Sequence, residues 1–285
     1  MQMEVISINE TYEHGSVFIN RDRTKESPLA RFIRYRDLVL ALAMRDVRMR
    51  YQLSILGLYW ALLNPLFMAL IWSFVFKTIF RATGMEGVPY VVFLFSGLTF
   101  WNFFANSLTT ASNCLTGNAS LLSKLYFPRV ILPTASVLAR LVDFGFSLIV
   151  LVVFMIAYRI MPGESLVYLP VLLVIQLFFT LGMAYIVAAL NVLYRDINQI
   201  VPVLLLLLLY LSPIFYTMSQ IPKSLAMYYV FNVVGELVGM ETGVLFGKLA
   251  IQWQMVGVYA LVSAAVFLFG LFVFHRIEPL FAEVM

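Results

Sequence analysis

Arg140 and Asp143 are charged side chains inside a long apolar run of this 285-residue chain. A guanidinium deep in hydrocarbon is unfavourable unless it is paired. A spacing of three puts both groups on one helix face, so each is a ready partner for the other. Two roles fit the pair. It could relay protons or line a translocation path, or it could be a structural pair turned into a helix bundle. One carboxyl beside an arginine is a poor titrating switch, which favours the structural role.

Little else in the sequence could do covalent chemistry. The only histidines are His14 and His275, and Cys114 is the only cysteine. A metal site is therefore not expected, and an intramolecular disulfide is excluded. "GVLFGKL" (243–249) is the nearest approach to a phosphate-binding loop. It has three residues between its glycines where four are needed, and Leu249 where Ser or Thr should hold magnesium. No ATP site is expected on this chain. The triplets "NET" (9–11) and "NAS" (118–120) match a glycosylation acceptor, but both fall on the side assigned below to the cytoplasm.

The elements that must position these groups follow from composition. The chain is 62% hydrophobic and 12% charged, with a mean hydropathy of +0.92, which excludes a soluble domain. No long polar stretch leaves room for an appended soluble enzyme. The first 30 residues are mixed and polar, without a basic segment leading into an apolar one, so no cleavable signal peptide is expected. The predicted fold class is an all-α polytopic membrane protein. Apolar runs of about 20 residues predict six spans, at 58–80, 89–112, 130–158, 166–193, 199–217 and 254–275. Pro202 and Pro213 fall in the fifth. Asn64 and Pro65 fall in the first, where Asn64 could satisfy a backbone group freed by the proline. Residues 225–240 are apolar but include Asn232 and Glu236, and at roughly 24 Å they are short of a full crossing. They read as a re-entrant or interfacial element.

Charge orients the spans. With the N-terminus inside, thirteen of the 19 Lys and Arg fall in the cytoplasm: the nine from Arg21 to Arg50, then Lys124, Arg129, Arg195 and Arg276. Five face out: Lys77, Arg81, Arg159, Lys223 and Lys248. The bias is positive-inside, with both termini cytoplasmic. Before the first span, 31–51 reads as an amphipathic helix in the membrane interface. Ile33, Leu40, Met44, Val47 and Tyr51 form its apolar stripe, opposite Arg34, Asp37, Arg45 and Arg48. Leu38 and Leu42 lie off that stripe and hint at a second contact surface. Residues 1–30 form a separate cytoplasmic arm.

The cytoplasmic connector 113–129 carries "LLSKLYF" (121–127). Asn118 or Ser120 could cap a short helix there that Pro128 ends. Its apolar residues fit either a protein partner or the headgroup layer. The aromatics of "FWNFF" (100–104) and Trp72, Phe74 and Phe76 read as interface belts or core.

Five motifs now stand in order: "RDVRMRYQLSILGLYWALLNPL" (45–66), "LSKLYFPRVILP" (122–133), "LNVLYRDINQIV" (190–201), "LSPIFYTMSQIP" (211–222) and "FHRIEPLFAEVM" (274–285). Together they make residues 31–285 resemble the membrane subunit of ABC-2 type exporters. The resemblance is to the permeases of O-antigen, capsule polysaccharide and teichoic acid. Where those relatives tend to have Asn-Pro and a basic residue after the fifth span, this chain reads "FNVVGELVGMETG".

The resemblance implies a homodimer of six-span subunits in the inner membrane, paired with two copies of a separate ATP-binding subunit. ATP and magnesium would sit on that partner, with no cofactor and no catalysis on this chain. The connector would be the coupling helix, with Leu121, Leu122, Lys124, Leu125, Tyr126 and Phe127 meeting the ATPase and the interface helix touching it too. Spans one and five would line the channel, bringing Tyr59, Trp60, Asn64, Phe67, Tyr210, Phe215 and Tyr216 to the substrate, a lipid-linked polysaccharide with O-antigen first among the candidates. Capsule and teichoic acid are the alternatives within the family. A membrane-embedded glycosyltransferase is the alternative in another class, but it would need an acidic cluster or an activated nucleophile. A proton-coupled transporter would need two related halves, and no convincing repeat is visible between 58–158 and 166–275.

Overall fold

The computed structural model of the chain describes residues 35–52, 59–79, 81, 85–124, 127–217, 220–222, 224, 229, 231–247 and 252–281. Residues 37–285 form one compact unit and residues 1–36 another, of which only Tyr35 and Arg36 are described. Among the described residues every regular element is helical. In order these are α1 (Arg36–Tyr51), α2 (Trp60–Phe74), α3 (Tyr90–Ser112), α4 (Ala119–Lys124), α5 (Ile131–Ala157), α6 (Leu169–Leu193), α7 (Ile197–Leu211), α8 (Val233–Leu245) and α9 (Trp253–Ile277). One π-type turn, Val75–Ile79, extends α2.

Helix α3 is the axis of the bundle. Its apolar window is 78% buried, against 28% and 22% for those containing α5 and α9. A central helix needs partners for its polar groups, and α3 supplies many itself. Ser96 and Thr99 donate to the carbonyls of Phe93 and Phe95 at 2.7 and 2.8 Å. Lipid tails are as apolar as leucine, so close packing and polar ties hold such helices together. Gln176 of α6 donates to Phe100 O at 3.1 Å, and Thr134 of α5 meets Tyr185 of α6 at 2.9 Å. Helices α6 and α9 cross at Gly182 and Gly270. A Cβ on Gly182 would lie 2.6 Å from Val266 O and 2.7 Å from Phe267 Cα, so only glycine admits this approach.

Contacts sort the helix ends into two groups. Ser112 of α3, the connector, the α6–α7 turn and the end of α9 gather at one end with α1. At the other, Tyr168 and Trp253 stack edge-on at 5.0 Å, and Ser165 donates to Val244 O at 3.0 Å. Gly247 turns with φ +64°, and any side chain there would strike Gly163.

Among the described residues, four helical segments are long and apolar enough to cross a membrane alone, at 90–112, 131–157, 164–193 and 253–280. They correspond to the second, third, fourth and sixth expected spans. The helix at the expected fifth span, 199–217, is shorter than expected. Helix α7 has 15 residues and ends at Leu211, about 22 Å of helix against a core of about 30 Å. Pro202 lies inside it. Pro213 lies beyond it, because Ser212 turns extended. Residues 225–228 and 230 lie outside the described residues, and within the element expected at 225–240 the described helix is α8, Val233–Leu245. The Asn232 side chain caps it, accepting from Gly235 N–H at 3.0 Å.

The interface helix has two apolar sides. Leu40 and Met44 of the expected stripe are exposed, whereas Val39, Leu42, Ala43 and Val47 are buried. The protein-facing side runs along Val39, Ala43 and Arg50 (i, i+4, i+11). Leu42, read as a hint of a second contact surface, lies on that side. Ile33 and Arg34 lie outside the described residues.

Candidate functional site

The sequence reading paired Arg140 with Asp143, and that pair forms at 3.0 Å. It is not isolated. Arg50, at the end of α1, reaches the same Asp143 oxygen, and the Tyr51 hydroxyl donates to the other at 2.6 Å. Arg140 also donates to Thr110 of α3 at 2.8 and 2.5 Å. Asp143 therefore joins α1 to α5, and Arg140 carries the link to α3. The three charged side chains are each about one-fifth exposed. In such surroundings a multiply hydrogen-bonded carboxylate is strongly held, and removing it strands charges. Burial first, and then the Asp143 carboxylate, push the Tyr51 phenol up to about 12, so Tyr51 remains a donor. This arrangement supports the structural role for Arg140 and Asp143. The sequence reading placed Tyr51 on the apolar stripe and left Arg50 unassigned, because partners 92 and 93 residues away leave no local spacing signal.

Around the connector lie further ties. Arg45 of α1 donates to Asn118 Oδ1 at 2.8 Å, and Asn118 Nδ2 donates to Cys114 O at 2.8 Å. Asn118 is thus occupied as a bridge and does not cap α4, which a 3₁₀ turn at Thr116–Asn118 enters directly. Cys114 is buried and burial pushes its thiol up, leaving it inert.

At the far side of the connector, Arg129 Nη1 donates to Glu278 O at 2.9 Å, and its backbone N–H donates to Glu278 Oε1 at 3.3 Å. The Arg129 guanidinium lies 5.6 Å from the Phe281 ring centre, within cation–π range. His275 Nδ1 lies 3.1 Å from Glu278 Oε2.

Of the expected coupling residues, Leu121 and Leu122 are half-buried and Lys124 is exposed. Leu125 and Tyr126 lie outside the described residues. Phe127 is corrected: at 8% exposure it is buried in this chain's own interior and is not free for a partner.

The expected channel aromatics divide as well. Tyr59, Trp60, Phe67 and Tyr210 are exposed, as is Asn64. Phe215 is only 2% exposed. It stacks on Phe76 at 4.6 Å and on Tyr210 at 5.5 Å, with Trp72 tilted against it at 5.5 Å. Its role as a direct substrate contact is corrected to that of a rivet joining α2, through the turn that extends it, to the end of α7. Tyr216 is half-buried and hydrogen-bonds Tyr210 O at 3.0 Å and Tyr229 Oη at 2.9 Å. On α7 only Val201 and Leu205 are buried, so most of that helix offers an unfilled apolar face, and its end meets α2 where Trp72 and Tyr210 lie 6.3 Å apart.

One buried acid escaped the sequence reading. Glu241 of α8 is fully enclosed, and neither carboxyl oxygen has a hydrogen-bond partner among the described residues. Its place in a Gly-rich apolar stretch gave no signal. Between α6 and α9 an apolar cleft of about 510 Å³ is lined by Pro170, Val174, Trp253 and Val256, among others, a surface suited to lipid rather than to a sugar polymer.

Comparison with known proteins matches these features to one family. The ABC-2 type transporter family matches residues 37–246. The chain is 30% identical over 251 residues to an O-antigen export system permease protein RfbA of Klebsiella pneumoniae, covering 87% of this chain and 95% of that protein. A second Klebsiella pneumoniae protein of the same name is 28% identical over equal shares. An O-antigen export system permease protein RfbA of Myxococcus xanthus is 36% identical over 188 residues, covering 66% of this chain and 71% of its own length.

Proposed function

The chain belongs to the ABC-2 type transporter family, and on that premise we propose that it is the membrane subunit of an ATP-driven exporter of lipid-linked O-antigen. The observation that carries the proposal is near full-length similarity to O-antigen export permeases, with 95% of the first relative covered. The fold supports it. The chain's own machinery consists of helices and ties between them, and the energy would come from ATP and magnesium on a separate nucleotide-binding subunit. Two copies of this chain would face each other through α2 and α7. That would cover their exposed apolar faces and enclose a path lined by Tyr59, Trp60, Asn64, Phe67, Tyr210 and Tyr216. Aromatic faces pack on sugar C–H groups without demanding one hydrogen-bond pattern, so a long polymer can slide. The end of the bundle holding α1, α4 and the tail of α9 would lie in the cytoplasm, with α2 and α7 completing six spans in the inner membrane. Helix α4 would seat on the ATPase through Leu121, Leu122 and Lys124, together with Leu125 and Tyr126 that follow it in the sequence.

Deleting the gene tests the reading. Surface O-antigen should disappear while lipid-linked polymer accumulates inside, and the wild-type gene should restore export. Unchanged surface polymer in the deletion strain would sink the proposal.

A further inference from the structure

We propose that Asn191 and Asn198 are positioning residues for transport: they fasten the first turn of α7 to the connector, so that displacement of the connector moves α7. This rests on the transport reading above.

The first turn of an α-helix leaves backbone N–H groups without intrahelical partners. Asp196, at the cap position of α7, makes no side-chain capping bond. Asn191 supplies one from the preceding helix instead, its Oδ1 accepting from Asn198 N–H at 3.0 Å. Asn191 is buried at 2% exposure, and its Nδ2 donates to Thr116 Oγ1 of the connector at 3.4 Å. Thr116 is held in turn by Asn113 Oδ1 at 2.8 Å. The Asn198 carboxamide meets the wholly buried Ser112 hydroxyl, at the end of α3, at 2.9 Å. Asn118, two residues beyond Thr116, carries the bond from Arg45 of α1. The start of α7 is thus tied to the six-residue stretch 113–118, and that stretch leads directly into α4.

The rest of α7 makes this tie decisive. Only two of its 15 residues are buried within this chain, so the subunit's own side-chain packing fixes its position weakly. Its other end is held by Asn232 Nδ2, which donates to Ser212 Oγ at 2.9 Å, and by the Phe215 ring stack. A short helix that its own subunit holds mainly at its two ends follows whichever end is moved. Of the two ends, the one at Asn198 is joined to α4.

The experiment uses the full chain, purified with the ATPase subunit that accompanies it, with Cys114→Ser as background. Asn191→Ala removes the acceptor of the Asn198 N–H and the donor to Thr116, and Asn198→Ala, combined with it, removes the acceptor of the Ser112 hydroxyl. Inserted protein, bound ATPase and its hydrolysis rate should be kept, while export per ATP falls about tenfold, as loss of these buried hydrogen bonds allows. Unchanged export would overturn the proposal. A second variant guards against misfolding: Ser112→Cys with Asn198→Cys, in the presence of Asn191→Ala, bridged by a short thiol crosslinker. Bridging should restore export that Asn191→Ala alone loses. If bridging leaves export low while the protein remains assembled, the tie is structural only and the proposal fails. If the wild-type chain binds no ATPase and exports nothing on ATP addition, the transport reading itself has failed, a result separate from either outcome.

Discussion

The Tyr51 hydroxyl donates to Asp143 Oδ1 at 2.6 Å, joining residues 92 positions apart. The bond ties the end of an interface helix to the interior of a long apolar one. The other oxygen of the same carboxylate takes both Arg50 and Arg140, so Asp143 faces two guanidiniums.

The order of damage on mutation follows. Arg140→Ala leaves Asp143 with Arg50 and Tyr51 and should be tolerated better than the isolated pair implied. Asp143→Ala strands two half-buried guanidiniums, a loss of up to about 3–5 kcal/mol. Thermal unfolding in detergent should rank Asp143→Ala well below Arg140→Ala. Equal midpoints would mean that Arg50 does not share the carboxylate.

Gly182 and Gly270 set how closely α6 and α9 approach. Gly270→Ala drives a Cβ into the Gly182 carbonyl, whereas Gly145 and Gly257 have nothing within 4 Å of an added Cβ. The yield of folded protein should fall sharply for Gly270→Ala and stay level for Gly145→Ala and Gly257→Ala. A normal yield for Gly270→Ala would show that the two helices can part freely.

Helix α4 should hold the ATPase by its apolar residues. Leu121→Asp with Leu125→Asp places charge where a partner buries leucine. Membrane insertion should persist while co-purified ATPase is lost. Retained ATPase with normal export would return this face to the lipid headgroups.

The exposed and buried aromatics should behave differently. Trp60→Leu with Tyr59→Leu should lower surface glycan while the partner's ATP hydrolysis continues. Phe215→Leu breaks the stack with Phe76 and Tyr210 and should act first on stability, by about 0.5–1.5 kcal/mol. A Phe215→Leu protein with wild-type melting but no export would restore Phe215 to the path.

Sidedness can be read chemically. Single cysteines at 162 and 222, in a Cys114→Ser background, should react with an impermeant maleimide added outside, and cysteines at 118 and 280 should not. Labelling at 280 would place the tail of α9 on the wrong face.

Length and hydropathy were enough to find the long helices, because a run of about 20 apolar residues has few other stable homes. The Arg140–Asp143 pair was legible for a similar reason: a spacing of three on a helix fixes proximity without any tertiary knowledge. The five motifs carried the family. Tertiary structure decided what depends on which neighbour a face meets. Val39, Ala43 and Arg50 share the protein-facing side of α1, where α5 offers Asp143, and no periodicity count could separate that side from the exposed one with Leu40 and Met44. Phe127 and Phe215 look like exposed aromatics in sequence, yet both are buried, Phe215 against Trp72 and Phe76 far away in the chain. Helix α7 stops at Leu211 although apolar residues continue. Ser212 turns out of the helix and meets Asn232, 20 residues later, and a partner at that distance is set by packing rather than by local pattern.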